Sequence, residues 1–344
     1  MEIQIIDPLA DPRWEELTAR HPKASAFHTR GWLRALSRTY GYRPFSITTS
    51  GPGSALQNAI VLCEVSSWIT GKRAVSLPFS DHCEPLLEGR EGLENLGEWL
   101  AAAAEREHWK YVEIRPQAET GNFGSEFKSS STFFLHKLDL APSTEQLFDN
   151  LHKDSIQRKI RRAERDGVQC ETGRSKPLLD QFYNLLCLTR KRHQLVPQPR
   201  SWFWNLIENV PDALIRVARK GSTPIAAILS LGHRRSVIYK YGCSNEQFHP
   251  LGGMPFLFWK LIEESRDSGA EEIDFGRSDT DQQGLVTFKN RLGCRKLTLT
   301  YYRHSKSLPQ KAGSGPWHAT QRLIKFMPDG LRQAAGRLLY RHMG

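Results

Sequence analysis

Three strand-like runs at residues 213–219, 224–231 and 236–242 follow one another across the four-residue turns Lys-Gly-Ser-Thr and Gly-His-Arg-Arg. Links this short join antiparallel neighbours, because a parallel pair needs a crossover of a dozen or more residues. Helical periodicity brackets the meander at 155–166, 176–192, 201–209 and 254–268, with a further strand at 168–172. A strand at 272–275, a short helix at 285–292 and a strand at 296–303 close the region. Helices alternating with antiparallel hairpins predict a mixed α/β fold with mostly antiparallel sheets, not a doubly wound parallel one.

The upstream half shows the same mixture. Asp11 and Pro12 start a helix over 11–21, and Thr29 caps a second over 30–40 whose Trp32, Leu33, Leu36 and Tyr40 share a face. Strands are expected at 3–6, 43–49, 58–65, 111–114 and 133–138, with an alanine-rich helix at 93–107. Ala141-Pro-Ser-Thr144 reads as a junction that opens another helix at Glu145. At ~100–200 residues per domain, 344 residues predict two, placed at 1–142 and 143–303, with a basic tail at 304–344. No apolar run approaches the ~20 residues that span a bilayer. Residues 1–8 lack the basic and apolar regions of a secretory signal. Six cysteines without a CxxC pair read as reduced thiols, so a cytoplasmic location is expected.

The net charge of +11 is unevenly spread, −5 over residues 1–150 and +16 over the rest. That asymmetry directs the second half toward an anionic partner: a phosphorylated substrate, a membrane surface or nucleic acid. One source is 152–166, with six Lys or Arg. Ile156, Ile160 and Ala163 mark its buried stripe, leaving Arg158, Lys159, Arg161, Arg162 and Arg165 around the rest, either as a solvated face or facing phosphates. The run has no interleaved aromatics, which ranks DNA last. The other source is the tail, with seven Lys or Arg and one Asp from His304 onward. Pro328-Asp-Gly330 divides it into two short helices. Leu331, Ala335, Leu338 and Leu339 form an apolar stripe beside Arg332, Arg337 and Arg341. Such a helix either lies on an anionic leaflet or docks on its own protein.

Phosphate-loop, dinucleotide, zinc-protease and serine-hydrolase signatures are missing, and the histidines show no metal-ligand spacing, so no metal is expected. Gly252-Gly253 stands at the start of the 254–268 helix. It serves either to turn the chain or to bring an anion to free backbone N–H groups. Ile273-Asp-Phe-Gly-Arg-Ser278 delivers Asp274, Arg277 and Ser278 into a polar loop, the usual place for a site. Asp274 is a candidate general base or the orienter of Arg277. Arg277 and Ser278 could hold a phosphate or carboxylate. Tyr239 and Tyr241, two apart on one strand, are expected on a common face as pocket wall or core.

The Phe275-Gly-Arg-Ser278 segment, the Phe288-Lys289 pair and a closing strand at 297–302 resemble the end of the FemAB-related acyltransferases, among the BioF2-like acetyltransferase domains of the GNAT superfamily. Ser76–Leu86 resembles the matching loop of the family's first domain, and Ala26–Trp32 its opening helix; the resemblance covers roughly 20–303. It implies two tandem GNAT-like domains and transfer of an acyl or aminoacyl group to an amine. Fem transferases take the group from charged tRNA to a peptidoglycan precursor. BioF2-like relatives use acyl-CoA, and the branch with these motifs accompanies exopolysaccharide and exosortase systems.

The resemblance gives Lys289 the oxyanion or donor-carbonyl role, with Phe288 beside it. It sets Asp81 and His82 toward the acceptor, and Arg158 and Arg161 of the basic helix toward donor phosphates. No tightly bound cofactor is implied; acyl-CoA or aminoacyl-tRNA enters as donor. The partners implied are an anionic envelope precursor, an anionic membrane face met by the tail, and tRNA. Two family features are missing: the acyl-CoA pyrophosphate loop, for which His249–Met254 is a degenerate substitute, and the helical-hairpin arm of the peptidoglycan enzymes. That leaves a second expectation, a non-catalytic GNAT-like module that binds an anionic glycolipid or tRNA.

Overall fold

The computed structural model describes residues 3–87, 93–117, 123–305 and 328–344. In chain order the elements begin β1 (Gln4–Ile6), α1 (Arg13–Arg20), α2 (Arg30–Tyr40), β2 (Arg43–Thr48), β3 (Ile60–Val65), β4 (Arg73–Val75), α3 (Leu93–Arg106) and β5 (Tyr111–Ile114). They continue with β6 (Lys128–Asp139), α4 (Thr144–Asp149), α5 (Arg158–Arg165), β7 (Val168–Gly173), α6 (Lys176–Arg192), α7 (Arg200–Asn209), β8 (Ala213–Lys220), β9 (Thr223–His233) and β10 (Ser236–Ser244). The last are α8 (Gly253–Asp267), β11 (Glu272–Asp279), α9 (Gln283–Arg291), β12 (Arg295–Ser305) and α10 (Asp329–Tyr340).

These elements form two compact units. The first holds the chain up to Phe133, β12 from Thr298, and Leu338–Gly344; the second holds Phe134–Leu297 and α10 up to Arg337. The chain thus changes unit inside the unbroken strand β6, not in the loop at 141–144.

In the first unit the strands run in the order β1-β2-β3-β4-β5-β12. Its core joins Ile47, Ile60, Leu62, Ala74, Val112 and Ile114 of the sheet to Leu96, Leu100 and Ala103 of α3. The face expected for α2 is the buried one, Trp32, Leu33, Leu36 and Tyr40, and Thr29 accepts the Trp32 N–H at 3.3 Å. The three-residue β4 is fully buried and too short to show alternation, so the sequence pattern passes over it.

The second unit orders its strands β6-β11-β10-β9-β8-β7. The meander is antiparallel, with Ala213 opposite Leu231 and Ser236 opposite His233. α8 then crosses over to β11, which lies parallel to β10 from Ser236↔Glu272 to Ile238↔Asp274. Ile160 and Ala163 of α5 meet Leu257, Leu261 and Ile262 of α8 over Ile228, Ile273 and Phe275. The basic helix is reached through a π-helical turn, Lys153–Gln157, before α5 proper.

The tail helix packs by a face that leaves Leu331 and Leu338 outside it and Leu339 half-buried. Arg332 and Gly336 of α10 are buried, whereas Leu331 and Leu338 are 61% and 59% exposed. A Cβ on Gly336 would run into the Pro197 carbonyl, so glycine is what lets α10 approach there. In the first unit, Tyr42 donates its hydroxyl to the Tyr340 carbonyl at 2.8 Å, and buried Arg73 donates to the carbonyls of His342 and Gly344. The tail helix expected before Pro328 lies outside the described residues. Among the described residues, no helix is long and apolar enough to cross a membrane. All six cysteines are free thiols.

Candidate active site

The β10-α8-β11 crossover sets the start of α8 at the carboxyl end of β10, where ligands gather in sheets with parallel strands. Past the last parallel pair the two strands are no longer paired, and a cavity of about 430 Å³ opens there. Tyr239 and Ser244 of β10, Phe275 of β11, and Gly253, Met254, Pro255 and Phe258 of α8 line it. Leu285, Phe288 and Lys289 of α9 close one side, and Ile225 and Ala226 of β9 another. A second hollow of about 410 Å³, lined by Ser155, Lys159, Gln283, Thr287 and Arg291 among others, shares Lys159 and Phe288 with it.

A bulge decides which tyrosine belongs to the cavity. Tyr239 pairs with Ser230 and Tyr241 with Leu229, so Lys240 is the extra residue. One inserted residue reverses the alternation of side chains beyond it. Tyr239 therefore packs on Phe258 at 4.8 Å between ring centres, while Tyr241 meets Phe203 at 5.0 Å and accepts the Trp202 indole N–H at 2.9 Å. The expectation of a common face fails for this reason. Tyr239 is a cavity wall and Tyr241 a packing residue against α7.

The expected polar loop after Phe275 is also revised, because β11 runs on through Asp279. Gly276, at φ 71, breaks the regular pleat within it. Two buried charges grip that residue. Asp274, 2% exposed, accepts the Gly276 N–H at 2.6 Å. Lys289, 3% exposed, donates to the carbonyls of Gly276 at 2.9 Å and Arg277 at 3.0 Å. Lys289 is thus no surface lysine: it is bound into the strand and still lines the cavity. Ser278 is buried as well, and its hydroxyl has no hydrogen-bond partner among the described residues.

At the mouth, Gly252 has φ 71, and a Cβ there would stand 2.6 Å from the Lys159 carbonyl. Glycine at this position brings α8 hard against α5. The side chain of α5 that reaches the cavity is consequently Lys159. Of the two arginines expected there, Arg158 pairs with Asp154 at 3.2 Å in solvent, and Arg161 lies 5.2 Å over the Phe148 ring. Lys159 was hidden in the sequence among five similar charges; only the close approach at Gly252 distinguishes it. His249 joins the mouth, its Nε2 2.9 Å from the Ser244 hydroxyl and 3.2 Å from Arg192 Nη1. Burial first, and then the Arg192 charge, lower its pKa, favouring the neutral ring. Gly253 and Met254 head a helix whose first N–H groups have no partner within it, so the mouth carries a positive field.

Asp81 and His82 belong to the first unit. The Asp81 carbonyl accepts the Tyr301 hydroxyl at 2.6 Å, and its side chain is half-buried. His82 is 1% exposed, 5.3 Å from Phe27 between ring centres, with Nδ1 2.8 Å from the Gln117 amide. Its ring is core packing, since a loop that buries its own side chains is not a solvated one.

His136 on β6 is fully buried, and burial with the nearby Lys289 charge lowers its pKa to about 4 from 6.5. The unfolded chain therefore binds a proton between those pH values that the folded chain refuses, and stability must fall as pH drops through this window. His193 and His249, also lowered, act in the same sense. The urea midpoint is expected to drop between pH 7 and pH 4.5, with a shallower drop in His136→Asn.

Residues 151–289 match the acetyltransferase (GNAT) domain, a span that contains every residue named above as lining the first cavity. No curated protein sequence matches the chain. Among solved structures, the crystal structure of FemX superposes with TM-score 0.69 at 14% identity, covering 94% of this chain and all (100%) of FemX. L-PGS from Bacillus licheniformis gives 0.56 at 16% identity, covering 92% and 98%. A tandem GNAT protein from the clavulanic acid biosynthesis pathway gives 0.52 at 11% identity, covering 90% and 100%. At such identities the likeness is one of fold. The second unit therefore carries a GNAT acetyltransferase domain, which indicates an acyl or aminoacyl transferase, and the chain has the FemX-like fold of tandem GNAT proteins.

Proposed function

We propose that the chain moves an acyl or aminoacyl group from a phosphate-bearing donor, acyl-CoA or charged tRNA, to an amine on an anionic cell-envelope or exopolysaccharide precursor. The observation that carries this reading is the cavity, with an apolar body, Lys289 on its wall, and Lys159 and the start of α8 at its mouth. Attack by an amine puts negative charge on the donor carbonyl oxygen, and a fixed ammonium in a dry site stabilises it. Asp274, bonded to the Gly276 N–H, holds the strand that Lys289 also grips, which makes it a positioning residue. Phe288 is cavity wall, whereas Arg277 and the buried Ser278 stand outside the cavity lining.

A binding module for anionic glycolipid or tRNA is the second reading, favoured by the engagement of both Lys289 and Asp274 with backbone. Native mass spectrometry and turnover assays with acetyl-CoA, longer acyl-CoAs and charged tRNA separate the two. Turnover supports the transferase; binding without turnover supports the module.

The exposed Leu331 and Leu338, with Arg337 and Arg341 nearby, favour contact of α10 with an anionic leaflet. Because α10 also packs through Arg332 and Gly336, point changes test this better than deletion. Leu331→Ser with Leu338→Ser is expected to reduce sedimentation with phosphatidylglycerol vesicles. Unchanged sedimentation removes the membrane contact.

A further inference from the structure

We infer that the cavity selects a neutral, apolar acyl group, several carbons long or aromatic, delivered on a phosphate-bearing thioester. This rests on the acyl-transfer reading above and names the group that is moved. Four rings form a continuous wall: Phe258 lies 4.8 Å from Tyr239, 5.5 Å from Phe275 and 5.5 Å from Phe288 between centres. All four line the cavity, and Met254 and Leu285 extend the apolar surface.

Size argues the same way. A volume of about 430 Å³ lies among those that enclose whole small molecules, roughly 300–1,000 Å³. An acetyl group is comparable to a few water molecules of ~30 Å³ each, and would leave the rings facing water. Each further methylene buried against them is worth roughly fourfold in affinity.

Charge separates the two donor classes. The charged side chains on the wall, among the described residues, are Lys159 and Lys289. The α-ammonium of an aminoacyl ester would sit beside like charge in a poorly solvated site. A neutral acyl group meets no such repulsion, while the donor's phosphates are drawn to Lys159 and the start of α8. In the reaction the acceptor amine attacks the thioester carbonyl, the C–N bond forms and the C–S bond breaks. The thiolate leaves with the electron pair, and the proton lost by the amine neutralises it.

Calorimetric titration and steady-state turnover of the full chain with acetyl-, octanoyl- and benzoyl-CoA, and titration with an alanylated RNA minihelix, test this. Octanoyl- or benzoyl-CoA is expected to bind at least tenfold tighter than acetyl-CoA. Met254→Trp, which narrows the cavity, and Leu285→Ser at its half-exposed rim are each expected to bring that ratio toward one, with folding checked by thermal melting. Equal affinity for acetyl-CoA, or a ratio unmoved in both folded variants, overturns the inference and leaves acyl transfer standing. Preference for the minihelix overturns it in favour of an aminoacyl donor. Failure of every donor to bind overturns it together with the acyl-transfer reading.

Discussion

Lys289→Ala is expected to lower kcat for acyl transfer by about 10²–10³-fold, the usual cost of removing one fixed donor from a developing oxyanion. The same change should cost stability, because the Gly276 and Arg277 carbonyls lose a buried donor. At ~1–3 kcal/mol for each unsatisfied group, a loss of about 2–6 kcal/mol is expected in urea unfolding. The two effects come apart in Lys289→Arg, whose guanidinium can keep bonds to the carbonyls but places its charge differently. Recovery of stability without recovery of kcat assigns Lys289 to the chemistry. Recovery of both would reduce it to a strap on β11.

The second large effect is expected at Gly252. Alanine there meets two penalties, a φ of 71 and a Cβ 2.6 Å from the Lys159 carbonyl oxygen, which is backbone and cannot swing aside. Together these should destabilise the chain by about 2–4 kcal/mol. Because the start of α8 must back away from α5, donor affinity should fall at least tenfold as well. Gly221 supplies the comparison, with φ 58 and open space around its Cβ position. Gly221→Ala should cost only about 1 kcal/mol and leave donor affinity unchanged. Equal destabilisation at the two sites would show that φ alone matters and that the contact with α5 does not.

Much of the architecture was legible because it is written in local periodicity. The α2 and α6 boundaries, the β8–β10 meander and the position of α8 follow from turn length, capping residues and the spacing of apolar side chains. β4 was missed because three buried residues display no pattern. The longer reach of β11 was missed because Gly276-Arg-Ser278 looks like loop composition; Asp274 holds Gly276 locally, but the grip of Lys289 comes from another element and leaves no sequence-local signal.

The site divides along the same line. Its parts list was visible in Phe275–Ser278, Phe288-Lys289 and Gly252-Gly253, since these residues stand out by type and by neighbours. Their arrangement was not. The bulge at Lys240 sends Tyr239 into the cavity and Tyr241 away from it, although spacing places them together. Lys159, not Arg158 or Arg161, reaches the mouth because a missing side chain at Gly252 sets how closely two helices approach. The tail shows Leu331 and Leu338 outward because Arg332 and Gly336 are the face that packs.

By itself, then, the sequence determined the mixed α/β fold, the uneven charge and the segments that carry the chemistry, all properties of residues within a few positions of one another. Only the tertiary structure decided which of those side chains share a cavity, which are bound into backbone and which face water. Such facts depend on contacts between segments far apart in the chain, where a single bulge or one absent Cβ changes the outcome.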